Sequence, residues 1–137
     1  MTDNDVDPNC AVFRVATAIK GADESLVMRV ADAVSEKGFV ANPVGRGSSG
    51  IEAVAIVSRH RVSVSIVCTL HEEGSSVAVW HNPPWSWRRI LGLTAPDDVV
   101  RKELRLVAQA LREVLMAEPA VSDVRWMTLK EWAHSGT

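Results

Sequence analysis

Between Ile51 and His81 the chain alternates in a pattern that calls for three antiparallel strands. Ile51 to Val57, Val62 to Leu70 and Ser76 to His81 are rich in β-branched residues. Short polar breaks separate them, at Ser58 to Arg61 and at Glu72 to Ser75 around Gly74. Successive side chains of a strand point to opposite faces. In the middle run Val62, Val64, Ile66, Cys68 and Leu70 therefore share one face, and Ser63, Ser65, Val67, Thr69 and His71 share the other. The first set is a core face. Pairing through the second break adds Val77 and Val79 to it. Trp80 then falls on the opposite, more polar face with Val67 and Thr69.

An apolar sheet face needs a cover, and two helical patterns supply one. Asp23 suits an N-cap and Glu24 the first turn. Leu26, Val27, Val30, Ala33 and Val34 follow at helical spacing, and Gly38 fits the residue just past the end, so a helix is predicted over 24–37. The second pattern opens on Thr94-Ala95-Pro96-Asp97, which reads as an N-cap, a first-turn proline and an acid at N3. Val100, Leu104, Val107, Leu111, Val114 and Leu115 form its stripe, with Arg101, Lys102, Arg105, Arg112 and Glu113 off it and Pro119 as its stop. Val121 to Leu129 fits a last strand anchored by Trp126. Ala11 to Lys20 fits a strand or a helix, and Gly21 followed by a fresh helix start favours the strand. Phe39 to Val44 reads as a short strand broken by Pro43, and Gly45 to Gly50 as a flexible loop. The expected fold is α+β: a mainly antiparallel sheet of four to six strands with two helices packed on one face, in the order β-α-β-β-β-β-α-β.

A chain of 137 residues, 47% of them hydrophobic, is most simply one domain with its own core. Residues 1–10, with Asp3, Asp5 and Asp7, read as a flexible acidic tail, and 11–137 as a single α+β domain. A net charge of -2 argues against a dedicated nucleic-acid binder. Cys10 and Cys68 make no disulfide framework, the first residues lack the apolar run of a signal peptide, and no stretch is long and apolar enough to span a bilayer. A cytoplasmic protein is the expectation.

The segment from Trp80 to Arg89 holds three of the five tryptophans, two adjacent prolines and two adjacent arginines. Tryptophan and arginine concentrate at the centres of binding surfaces, and prolines stiffen such a segment. Trp80, Trp85, Trp87, Arg88 and Arg89 are therefore the candidate partner-binding residues. The opposing reading puts Trp85 and Trp87 into the core, where tryptophan is usually largely buried.

The other constellations are weaker. Gly45-Arg46-Gly47-Ser48-Ser49-Gly50 matches G-x-G-x-x-G, but a strand follows it where a dinucleotide site needs a helix, and no Walker A lysine is present. It leaves at most an anion site at Arg46, Ser48 and Ser49. His60, His71, His81 and His134 lack metal-ligand spacing, so no metal is expected. Cys68 and His71 fall on opposite strand faces and do not pair as nucleophile and base. Glu72 and Glu73 read as solvated turn charges. No catalytic residue and no cofactor is expected.

The expected function is a small non-catalytic module that binds another protein, in the manner of a neutraliser of a toxic protein or a chaperone for a secreted effector. Nucleic acid is not the expected partner. A homodimer through the Trp-bearing sheet face is a related option. The alternative is a small-ligand protein or enzyme with a pocket near Gly45 to Gly50, lined by Arg46, Ser48, Ser49, His60 and His71.

Overall fold

The computed structural model describes residues 9–15, 22–46, 52–70, 75–82, 96–119, 121–128 and 130–131. The elements run β1 (Cys10–Val15), α1 (Ala22–Ser35), β2 (Val40–Ala41), β3 (Gly45–Arg46), β4 (Ala53–Arg59), β5 (Val62–Thr69), β6 (Ser75–His81), α2 (Asp97–Ala117) and β7 (Val121–Met127). Every strand pairing is antiparallel, and the sheet order is β2-β4-β5-β6-β1-β7, with β3 also on the outer edge of β4. The architecture is α+β, with both helices packed on the sheet.

The alternation read from the sequence holds across the sheet. Val62, Val64, Ile66 and Cys68 are fully buried, and the register sets them opposite Ala53, Ala55 and Val57 on one side and Val77 and Val79 on the other. Ala11 and Phe13 extend this face through β1, and Trp126 of β7 lies opposite Ala11. Leu26, Val27, Val30, Ala31 and Val34 of α1 and Val100, Leu104, Val107, Ala110, Leu111, Val114 and Leu115 of α2 complete a single core. A fully buried Val, Leu, Ile or Phe side chain stabilises by about 1.5–3 kcal/mol, which makes this one face the main source of stability.

Several ends differ from the sequence expectation. The segment expected as a polar tail ends in structure: Cys10 opens β1, pairing with Ala78 and Met127, and is buried. The ambiguous 11–20 region is a strand as far as Val15. Helix α1 starts at Ala22, so Asp23 lies inside the first turn and is no N-cap. Helix α2 is capped at Pro96, in an extended conformation, and starts at Asp97. Thr94 lies outside the described residues. The expected loop from Gly45 opens with β3, whose two residues pair with Ala53 and Val54.

The end of α1 follows the expectation closely. The Phe39 amide donates to the Val34 carbonyl (3.2 Å) and the Gly38 amide to that of Ser35 (3.1 Å), which is a Schellman motif. Gly38 adopts φ +101°, a conformation costly to a residue with a Cβ. A Cβ there would also meet Arg59 Cδ at 3.7 Å, an ordinary contact, so backbone strain is the whole penalty. Gly38→Ala is expected to lower the unfolding free energy by about 1–2 kcal/mol, measured by urea denaturation.

Candidate functional site

Among the described residues both helices cover one face of the sheet, and the other face is the surface on which a function can be built, although its middle, at Cys10 and Ala78, is buried. Its side chains follow from the register as rows that cross the strands. The central row is Val54, Val67, Ala78, Cys10 and Met127, on β4, β5, β6, β1 and β7 in turn. Every member is apolar. Beside it runs Ile56, Ser65 and Trp80. On the other flank Thr69, Ser76, Val12 and Arg125 lie in line, with Glu52 one residue before β4 extending that row. The small Ala78 side chain leaves a hollow of about 210 Å³ lined by Glu52, Val54, Ser65, Val67, Thr69, Ser76, Ala78 and Trp80. Trp80 is half-buried at its rim, and Ile56 is 37% exposed nearby.

Asn82 fixes how the chain leaves β6. Its amide donates to the Ser63 carbonyl (2.8 Å), and its side chain exchanges hydrogen bonds with Ser65 Oγ (2.8 Å from Nδ2, 3.1 Å to Oδ1). Those bonds hold Asn82 on the same face as Trp80, opposite Ser63 in the row next to Ile56–Ser65–Trp80. Trp85, Trp87, Arg88 and Arg89, the remaining candidate contact residues, lie outside the described residues, as do Ser48, Ser49 and His71.

Arg46 is described, and its guanidinium is already held by two carboxylates. It bonds Asp23, which is 7% exposed, and Glu24 Oε1 at 2.8 Å. Burial alone would raise the Asp23 carboxyl. The Arg46 hydrogen bond, the Glu24 amide and the Arg46 charge outweigh burial and hold it below its ordinary value. An anion at the 45–50 loop would compete with both acids for this arginine.

Neither thiol is poised as a nucleophile. Cys10 and Cys68 are free and buried, and burial pushes each pKa up to about 12. Cys10 points to the helix-free face and Cys68 to the core, so a disulfide between them would have to pass through the sheet.

The polar group that sequence reasoning missed is Glu103. It sits within the apolar stripe of α2, one residue before Leu104, and is 1% exposed. Arg59, the last residue of β4, grips it with two hydrogen bonds, Nε to Oε2 at 2.8 Å and Nη2 to Oε1 at 2.9 Å. His60 Nδ1 lies 3.0 Å from Oε1. Arg59 also donates to the Lys37 carbonyl (2.6 Å) and stacks over the Phe39 ring at 4.7 Å. The signal was present in the sequence, since an acid inside an apolar stripe requires a cation close by. Burial would raise the Glu103 carboxyl, and the hydrogen bonds from Arg59 and His60 reverse the direction and lower it.

No family model, curated protein or solved structure matches this chain.

Removing the charge of Glu103 leaves Arg59 without its counter-ion in a largely dry place. Glu103→Gln is expected to cost about 3 kcal/mol, the lower end for a broken buried pair because Arg59 keeps some access to water. The pH response has a definite sign. Folding holds Asp23 and Glu103 below their ordinary values, so the unfolded chain binds protons first. Their stabilisation is complete above the ordinary carboxylate range, near pH 4, and is lost as pH falls through the folded values. Urea midpoints should therefore drop from neutral pH towards about pH 3 in the wild type, and drop less in Glu103→Gln, which has one fewer carboxyl to protonate.

Proposed function

We propose that this chain is a non-catalytic protein-binding module whose contact surface is the helix-free face of the sheet together with the segment that follows Trp80. The observation that carries the reading is the apolar row from Val54 to Met127 on a face that neither helix covers. A sheet face turned to water is ordinarily polar, as the serines and threonine of the flanking rows are. Cys10 and Ala78 in the middle of the row are buried, so the part open to a partner is the partly exposed Val54, Val67 and Met127 beside the half-buried Trp80 and the exposed Ile56, and that remainder is the pattern of a contact surface. The hollow at Ala78 gives a partner's apolar side chain a place to enter, and Trp80 at its rim supplies a rigid aromatic wall.

The partner is another protein, with neutralising a toxic protein or chaperoning a secreted one as the roles that suit so small a module. Trp85, Trp87, Arg88 and Arg89 extend the surface from the end of β6 in this reading. Protein capture should weaken at least tenfold in Val67→Glu, which places a charge in the apolar row, and in the Trp85→Ala/Trp87→Ala double variant, with thermal melting curves unchanged. Undiminished capture by Val67→Glu would remove the sheet face from the proposal. A large drop in the melting temperature of the tryptophan variant would assign both rings to the core.

A further inference from the structure

We infer that the hollow on the face opposite the two described helices receives a long basic side chain of a protein partner, arginine above lysine, its stem lying over Val54 and Val67 and its charged head reaching Glu52. This rests on the reading of that face as a contact surface and narrows what enters it: the stem is apolar, as that reading requires, and the head carries positive charge. The hollow has two unlike ends. At one end Trp80 forms the wall, with Ile56 in the same row. At the other stand Glu52, Thr69 and Ser76, the two hydroxyl residues directly opposite each other on β5 and β6. The floor, at Ala78 and Ser65, is buried, so an entering group meets the walls, where Glu52, Val54, Val67, Thr69, Ser76 and Trp80 are all half-buried. Glu52 forms no ion pair among the described residues, and neither Thr69 nor Ser76 makes a side-chain hydrogen bond among them.

Size and spacing select the occupant. A hollow of about 210 Å³ falls short of the roughly 300–1,000 Å³ of a pocket built for a whole small molecule, and suits a single long side chain. Strands rise about 3.4 Å per residue, so the Glu52 row lies about 7 Å from the Val54–Val67 row, the reach of an extended arginine or lysine stem. Such side chains bury their methylenes along apolar surface and carry the head on to polar groups. A purely apolar side chain would leave Glu52 facing it without a counter-charge, and an acidic one would be repelled. The acceptors favour arginine. A carboxylate takes two parallel N–H bonds from a guanidinium, and the Thr69 and Ser76 hydroxyls accept further donors that lysine has in smaller number. On the outer side Gly45 of β3 stands opposite Val54, and a Cβ there would meet nothing within 4 Å, so the Gly45 position leaves the hollow unnarrowed at that edge. Trp80 closes the apolar end, behind the base of the stem.

A pair of isosteric probes tests the chemistry. The full chain is titrated with n-butylguanidinium, an arginine side chain without its backbone, and with n-butylurea, its uncharged counterpart. The reporter is the indole N–H resonance of Trp80, assigned by its loss in Trp80→Phe. The guanidinium is expected to shift this resonance saturably with a dissociation constant on the order of millimolar, and the urea to bind about fivefold more weakly or worse. Glu52→Gln should remove the difference between the probes while leaving the thermal melting curve unchanged, since Glu52 is half-buried and without an ion pair. Equal binding of the two probes, no binding of either, or a preference that survives Glu52→Gln overturns the inference. Protein capture that Val67→Glu abolishes and Glu52→Gln leaves intact would overturn the basic side chain alone and leave the contact face standing. Capture weakened about fivefold or more by Glu52→Gln, together with the probe preference, supports both. The probe preference with no protein captured would overturn the protein partner and leave a receptor for a free alkylguanidinium or alkylamine.

Discussion

The guanidinium of Arg59 is the junction on which the arrangement of layers depends. From the end of β4 it holds Glu103 of α2 through two hydrogen bonds, takes the Lys37 carbonyl at the end of α1, and lies over Phe39, the residue that completes the α1 cap. A planar group with five donors can do all of this at once, and an ammonium cannot. The hydrophobic effect drives both helices onto the sheet but has little directional content. The Arg59 contacts supply direction, because they are satisfied only when both helices and the β4–β5 turn stand in one relation. The turn itself carries strain. His60 and Arg61 both adopt positive φ (51° and 65°), where a two-residue hairpin usually places Asn-Gly. The His60 contact with Glu103 helps hold that conformation.

With both helices committed to one face, the chemistry of the other follows from strand periodicity. The residues that alternate with the core are mostly small or hydroxylic: Ser58, Ser63, Ser65, Thr69, Ser76. The apolar exceptions form the continuous Val54–Met127 row, with Ile56, Trp80 and Val12 in the rows beside it, and in the proposed reading that clustering suits a partner. Lone apolar residues on such a face would carry little meaning. Five in line across five strands are a pattern with a direction.

Much of this was legible in the sequence because strand periodicity is a two-state pattern. Once Val62, Val64 and Ile66 define the core side, Trp80 can only fall on the other, and the structure puts it there. Gly38 was legible because few residues tolerate its conformation. What was not legible depends on long-range pairing. Nothing local marks Cys10 as a strand residue; it is one because it pairs with Ala78 and Met127. Gly45 and Arg46 form a strand rather than a free loop, and Asp23 and Glu24, more than twenty positions earlier, pin the arginine. The Arg59–Glu103 pair spans 44 residues, so only the misfit of an acid in an apolar stripe hinted at it. Of the candidate contact residues, only Trp80 falls where its surroundings can be described.

The sheet edges sharpen the case for the face. An open edge strand offers unpaired amides and carbonyls to any other strand, and proteins blunt such edges with short strands, prolines, bulges and charges. One edge here is divided between β2 and β3, two residues each, with Pro43 between them. The other edge, β7, is interrupted at Asp123, which takes φ 54° where the register with β1 shifts, and Arg14 lies 3.9 Å from its carboxylate. That irregularity bends the strand and breaks the ladder another chain would need. Both edges thus carry features that oppose strand addition, while the face opposite the two described helices carries an apolar row, a hollow and a tryptophan. In the proposed reading, contact is therefore made through side chains on the face rather than by backbone pairing at a rim.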